Sequence, residues 1–226
     1  MKRFIKYILN HIPRPVLQRI AEWAVPIMGL LYIGKGKECP LCGCRRRKFL
    51  PYGYVTQREN ALCPNCLALE RHRTLWLWLL RESDIGRGAM ALPRLLHVAP
   101  EVALMRKFSK IYASQPEKYV TADLESPLAD MHFDIQHIPL EDESFDAVIC
   151  NHILEHVEDD TITDEAERTR IFGQYDHRRI YGRDYAKRLE EAGFEVYECD
   201  YANFIPAKEK ELYALTDELL YIVRKP

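Results

Sequence analysis

A short apolar run that ends abruptly in polar residues is the feature that most constrains this chain. In the stretch FDAVICNHILEHVEDD, from Phe145 to Asp160, Ala147, Val148, Ile149 and Cys150 are continuously apolar, Asp146 opens the run, and Asn151 and His152 close it without glycine or proline. A run of that length without polar alternation predicts a central strand covered on both faces of a parallel sheet. In open α/β sheets ligands sit just beyond the carboxyl ends of such strands, which puts Asn151 and His152 at the mouth of a crevice. An ordinary strand-to-helix turn would leave the same pattern.

A chain of 226 residues with 47% hydrophobic content can bury a full core, with room for one ordinary domain and a smaller one. The formal net charge of -2 hides an asymmetry: residues 1–82 carry 15 Lys and Arg against 5 Asp and Glu, and residues 83–226 carry 17 against 29. The basic front end suits a polyanionic partner, RNA or an anionic membrane surface, although such charge also forms plain solvated faces.

Residues 1–36 begin basic and turn apolar. The apolar run from Trp23 to Ile33 is too short to span a bilayer and contains Pro26 and Gly29. Asn10, His11, Pro13 and Arg14 interrupt what would be the core of a signal peptide. What remains is a helix from about Lys2 to His11 and another from about Pro15 to Ala24. Phe4, Ile5, Ile8, Leu9 and Ile12 share one face of the first, flanked by Lys2, Arg3 and Lys6. That face predicts packing on this protein or on a second copy as a homodimer, with peripheral membrane attachment as the competing use.

Residues 37–82 hold five of the seven cysteines, in Cys39-Pro-Leu-Cys42-Gly-Cys44 and Cys63-Pro-Asn-Cys66. Paired knuckles of this spacing point four thiolates at one tetrahedral ion, so Cys39, Cys42, Cys63 and Cys66 are the expected ligands of a structural zinc ribbon. Cys44 is either a spare thiol or an alternative to Cys42. Disulfides are the competing use, but CxxC pairs without a secretory signal favour metal in a reducing cytoplasm. Arg45, Arg46, Arg47, Lys48 and Arg58, with Arg71-His72-Arg73, form a basic patch suited to phosphates, yet no aromatic residues interleave with it for base stacking. LALERHRTLWLWLLR, residues 67–81, predicts one helix burying Leu75, Trp76, Leu79 and Leu80, and the glycines and proline of residues 83–93 mark a boundary.

Residues 83–226 open with RLLHVAPE, where Leu95, Leu96 and Val98 predict a first strand and Glu101–Ser109 a helix. Lys118–Leu124 predicts a second strand ending at Asp123 and Leu124. Met131–Pro139 predicts a third element containing Asp134 and Ile135. A carboxylate at the end of a second strand is placed to accept from ribose hydroxyls, and it also serves as an ordinary turn initiator. Beyond Asp160, residues 161–170 predict a short helix with acids early and arginines late. The polar aromatic segment IFGQYDHRRIYG, residues 171–182, reads as a substrate-facing loop or a plain surface one. A helix stopped by Gly193, a strand over Phe194–Asp200 and a closing strand over Leu219–Arg224 complete the chain.

IPLEDESFDAVICNHILEHVEDD, with its Ile-Pro pair, acidic turn, Ser-Phe-Asp and "LEH" motif, resembles the region around the fourth strand of class I S-adenosylmethionine-dependent methyltransferases of the type 11 branch. The resemblance covers about residues 94–160 and 184–226. It implies a Rossmann-like α/β sheet that binds S-adenosylmethionine and transfers its methyl group to an unidentified acceptor. The family's glycine-rich first loop reads HVAPE here, a form similar to one in zinc-ribbon-bearing relatives, and the resemblance implies that Ala99, Pro100 and Glu101 line the cofactor site. It assigns Asp123, beside Leu124, to the ribose, and Asp134 with Ile135 to the adenine. Asn151 and His152 complete the site, and His177 or His152 is the candidate base.

The family's fifth strand and the turn before it are missing after Asp160. The expected sheet therefore has six strands, with Leu219–Arg224 paired directly to Phe145–Cys150, retained cofactor binding and altered or absent methyl transfer. A longer form carrying that segment would be expected to show ordinary catalysis. Two other functions fit the same residues: a non-catalytic cofactor-binding scaffold, and an RNA methyltransferase guided by its zinc ribbon.

Overall fold

A computed structural model describes residues 24–25, 27, 29–53, 57–87, 91–157, 164–172, 181 and 184–226. The helices expected over 2–11 and 15–24, and His177 with most of its loop, lie outside the described residues. The strands are β1 Ile33–Glu38, β2 Arg45–Arg46, β3 Leu50–Tyr52, β4 Arg58–Leu62, β5 Leu95–Val98, β6 Tyr119–Asp123, β7 Met131–His132, β8 Ala147–Cys150, β9 Glu195–Cys199 and β10 Leu220–Arg224. The helices are α1 Glu70–Glu82, α2 Asp84–Arg87, α3 Val102–Ile111, α4 Glu165–Phe172, α5 Tyr185–Glu191, α6 Tyr201–Phe204 and α7 Ala207–Tyr213. They divide between two compact units. The first takes the chain through Leu77 together with Val102–Lys107 and Ile205–Thr216, and the second takes the remainder.

In the first unit β1 pairs antiparallel with β2, and β3 with β4. These short ribbons bury Cys39, Leu41, Phe49, Ala61 and Cys63. The face of α1 differs from expectation. Trp76 and Leu79 are buried as predicted, but Leu80 is exposed, and His72 and Arg73 take buried places assigned to the surface patch. The stripe is rotated toward the helix start because Arg73 finds enough backbone acceptors to be buried.

The second unit is built on a four-stranded parallel sheet of order β7-β6-β5-β8. In order of appearance that is third, second, first, fourth, the doubly wound arrangement whose direction reverses between the first and fourth strands. β5 is buried at all four positions, and Leu96, Val98 and Ala122 centre a core joined by Val120, Met131, Phe133, Ile135, Leu140, Phe145 and Ile153. Arg94 and Asp146, each one residue ahead of its strand, set the register of β5 against β8. The Arg94 amide donates to Asp146 Oδ2 at 2.7 Å, and its guanidinium reaches Oδ1 at 3.2 Å. These bonds hold the Asp146 carboxyl below its ordinary range.

Two expectations are corrected here. β8 is not covered on both faces: among the described residues only β5 pairs with it, and Val148 is 58% exposed. The closing strand does not pair with β8 either. β10 forms a separate antiparallel hairpin with β9, in unbroken register from Leu220–Cys199 to Arg224–Glu195. The six strands from β5 to β10 thus stand as a sheet of four and a ribbon of two, because a partner close in sequence satisfies β10 before a distant one can.

Candidate functional site

The order reversal places the loop after β5 beside the end of β8, and both carry polar side chains. Ala99 occupies the left-handed region, φ 45°, and its N–H donates to Ala122 O at 2.7 Å. The chain thus adopts at Ala99 a conformation that glycine takes without strain. Ala99→Gly is expected to raise stability by up to about 1.6 kcal/mol. The left-handed strain relieved, roughly 1–2 kcal/mol for an L residue, exceeds the ~0.4–1 kcal/mol that glycine adds through its unfolded freedom. Urea denaturation of the two proteins checks it.

Glu101 heads α3 but does not cap it with its side chain. Its Oε2 lies 2.9 Å from Nε2 of His97, and its Oε1 accepts from Asn151 Nδ2 at 3.3 Å. His97 is 0% exposed, and its Nδ1 lies 2.9 Å from the Tyr119 hydroxyl. Burial first, and then the Asp130 carboxylate, push the Tyr119 phenol above its ordinary range, so it remains a donor. Every group is satisfied when Tyr119 donates to Nδ1 and His97 Nε2–H donates to Glu101. A carboxylate held by two donors then faces the strand ends where glycines would otherwise stand. His97 and Tyr119 escaped the sequence reading because strand alternation marks them only as interior positions.

Asp123 Oδ1 accepts the amides of Glu125 at 2.9 Å and Ser126 at 2.8 Å, the turn-initiating geometry, and Oδ2 makes no hydrogen bond among the described residues. Asp134 repeats the arrangement with the Gln136 amide at 2.9 Å. Leu124 is exposed, and Ile135 packs on the core of Leu96, Val98 and Ala122. His152 sits in the left-handed region, φ 52°, between Glu155 at 3.2 Å from Nδ1 and Glu218 at 3.1 Å from Nε2. Burial raises the Glu155 pKa, but the bond from His152, a backbone bond and the charges of His152 and His156 together outweigh it, and the carboxyl titrates below its ordinary range. Burial, then Glu155, push the Cys150 thiol to about 11, which keeps it out of nucleophilic chemistry.

In the first unit the sulfurs of Cys39, Cys42, Cys63 and Cys66 lie within 4.8 Å of one another. Cys39 and Cys66 are 3.6 Å apart and Cys42 and Cys63 3.8 Å. Zinc–sulfur bonds of about 2.3 Å give a tetrahedron with edges of about 3.8 Å, so the spacing fits a metal ion. Both knuckles close identically: Gly43 N–H reaches Cys39 O at 2.8 Å, and Leu67 N–H reaches Cys63 O at 3.0 Å. Gly43 and Leu67 both take positive φ, 70° and 63°. The Asn65 amide approaches Cys63 Sγ at 3.5 Å, the amide-to-sulfur contact that steadies a thiolate. Cys44 lies 3.5 Å from Cys63, at the cluster but outside the set of four. Hydrogen bonding from Cys39 first draws the Cys63 thiol below its ordinary range.

Residues 86–170 match the family model of a methyltransferase domain. No curated protein and no solved structure matches the chain. The matched segment contains the whole parallel sheet, the loop at Ala99–Glu101, Asp123, Asp134 and the Asn151-His152 pair, and it ends before the β9–β10 hairpin. The resemblance to class I methyltransferases therefore holds over the sheet, which is Rossmann-like.

Proposed function

We propose, from the match of residues 86–170 to the family model of a methyltransferase domain, that the second unit binds S-adenosylmethionine at the switch point between β5 and β8 and delivers its methyl group to an acceptor. The observation that carries this reading is the juxtaposition of Glu101 and Asn151, on loops 50 residues apart in sequence, through a 3.3 Å hydrogen bond at that reversal. Glu101, ordered by His97 and Asn151, offers a fixed negative charge to a ligand that carries cationic groups. Asp123 takes the ribose hydroxyls through Oδ2, and Asp134, Leu124 and Ile135 border the adenine. Ala99 and Pro100 set the backbone beside them.

When bound, S-adenosylmethionine supplies an electrophilic methyl group on sulfur. The protein's part is alignment and exclusion of water. Neutral His152, donating to only one of Glu155 and Glu218, has its other ring nitrogen to accept the proton of a hydroxyl acceptor, and His177 is the second candidate base. Cys39, Cys42, Cys63 and Cys66 of the first unit hold a structural zinc ion, the use that paired knuckles have in a reducing, cytoplasmic setting.

Calorimetric titration with S-adenosylmethionine tests the binding, and transfer of labelled methyl to fractionated RNA, protein and lipid tests the chemistry. Asp123→Ala is expected to weaken binding by about 1–3 kcal/mol, the cost of leaving ribose hydroxyls without a charged acceptor, and Asp134→Ala by less. Equal affinity for wild type and the Asp123 variant would put the ribose site elsewhere. The exposed outer edge of β8, with Val148 58% exposed, favours a second reading in which the cofactor is held without transfer. Binding with no labelled product in any fraction would select it.

A further inference from the structure

Four aliphatic side chains of the first unit are turned outward within seven residues: Ile27 is 65% exposed, Leu30 59%, Leu31 73% and Ile33 66%. Isolated exposed aliphatics need no explanation, but a run of this kind marks an interaction surface. The segment is also seated with care. A Cβ on Gly29 would meet Pro64 O at 2.7 Å, and one on Gly34 would meet the Arg47 Cβ at 2.8 Å. Only glycines allow this approach to the second cysteine knuckle and to the β2 end of the ribbon. The Arg47 amide also donates to Tyr32 O at 2.7 Å.

That seating sets positive charge beside the aliphatic turn. Ile33 pairs with Arg46 across β1 and β2, and Arg47 lies over the Tyr32 ring at 5.4 Å. Lys35 and Lys48 are exposed close by in the chain. Between residues 29 and 48 the single acid is Glu38, and Arg45 neutralises it at 2.8 Å. Aliphatic groups beside cationic ones match an anionic bilayer interface, where the first enter the acyl boundary and the second meet the headgroup phosphates. RNA would leave the leucines and isoleucines unused, because single-strand recognition stacks bases on aromatic rings.

We propose that Ile27 and the turn Leu30–Ile33, with the β1–β2 ribbon, are a docking surface for anionic phospholipid membranes, held in shape by the cysteine knuckle beneath it.

The test is co-sedimentation of the full chain with vesicles of phosphatidylcholine alone and of phosphatidylcholine mixed with phosphatidylglycerol. Binding is expected to the mixed vesicles, to weaken as salt is raised, and to fall about tenfold or more in the Leu30→Glu, Leu31→Glu double variant. Lys35→Glu with Lys48→Glu is expected to weaken binding to mixed vesicles and to lessen its salt dependence. All substituted positions are exposed, and unchanged metal content and circular dichroism verify folding. Absence of binding by the wild type overturns the proposal, as does binding that ignores the leucine substitutions. It is equally overturned if those substitutions abolish a concentration-dependent dimer, or if RNA is retained in place of vesicles.

Discussion

On the proposal that Cys39, Cys42, Cys63 and Cys66 hold zinc, stripping the ion from them is expected to unfold the first unit. Its strands are six, two, three and five residues long and form two separate two-stranded ribbons. Ribbons of that size are marginal in water by themselves. Structural zinc contributes on the order of 10–16 kcal/mol in small metal-folded domains, comparable to or larger than the whole stability of an ordinary domain, about 5–15 kcal/mol. Chelation followed by circular dichroism and hydrogen exchange should therefore show loss of protection in residues 33–62. Protection in β5, β6 and β8 should remain, since they enclose a core of their own. Acid should act like the chelator, because the ligands bind as thiolates and protons compete with the ion, so the unit loses stability as pH falls. Protein purified without chelator and free of zinc, or exchange unchanged by chelation, would refute this.

The parts legible in the sequence were those with a local signature. The paired CPxC knuckles announce a four-sulfur cluster because four cysteines at this fixed spacing have few other uses. The run Ala147–Cys150 announces a strand because nothing polar interrupts it, and the order of acids and arginines around residues 164–170 announces α4. What remained hidden depends on partners distant in the chain. His97 reads as one more interior position until Tyr119 and Glu101 are seen at its two nitrogens. The destination of the closing strand was misread because an unpaired edge on β8 argues for a partner without naming it, whereas the β9–β10 hairpin is close in sequence and complete in register. Arg73 was misplaced on the surface because a charged residue beside Arg71 and His72 looks like part of a patch. Only the fold reveals how many acceptors surround it.

Arg73→Met is expected to destabilise the metal-loaded first unit by about 3–5 kcal/mol, the range for breaking a compensated buried charge. The side chain is 0% exposed and all five of its donors are used. Nε donates to Tyr213 O at 2.8 Å, Nη1 to Ala61 O at 2.8 Å and Ala68 O at 2.9 Å, and Nη2 to Asn60 O at 3.2 Å and Ala214 O at 2.7 Å. Three of these carbonyls come from β4 and the knuckle, and two from the end of α7, where helical carbonyls have no partner of their own and attract a cation. The guanidinium also lies over the Phe49 ring at 4.9 Å. Burial pushes its pKa down, and the negative charges of Cys39, Glu70, Cys63 and Cys66 pull it back. Four thiolates around a divalent ion carry two net negative charges, so one buried arginine offsets half of them. Methionine fills similar space but takes the guanidinium donors away from five carbonyls, of which Ala68 O keeps the Cys63 amide at 2.9 Å, and leaves that charge uncompensated. Lysine keeps the charge with three donors instead of five, so Arg73→Lys is expected to fall between wild type and the methionine variant. Urea denaturation of zinc-loaded protein orders the three, and competition with a chromogenic chelator should show weaker zinc retention in the same order. A loss below about 1 kcal/mol for Arg73→Met, the size of one ordinary hydrogen bond, would mean that the ribbon and the end of α7 hold together without it.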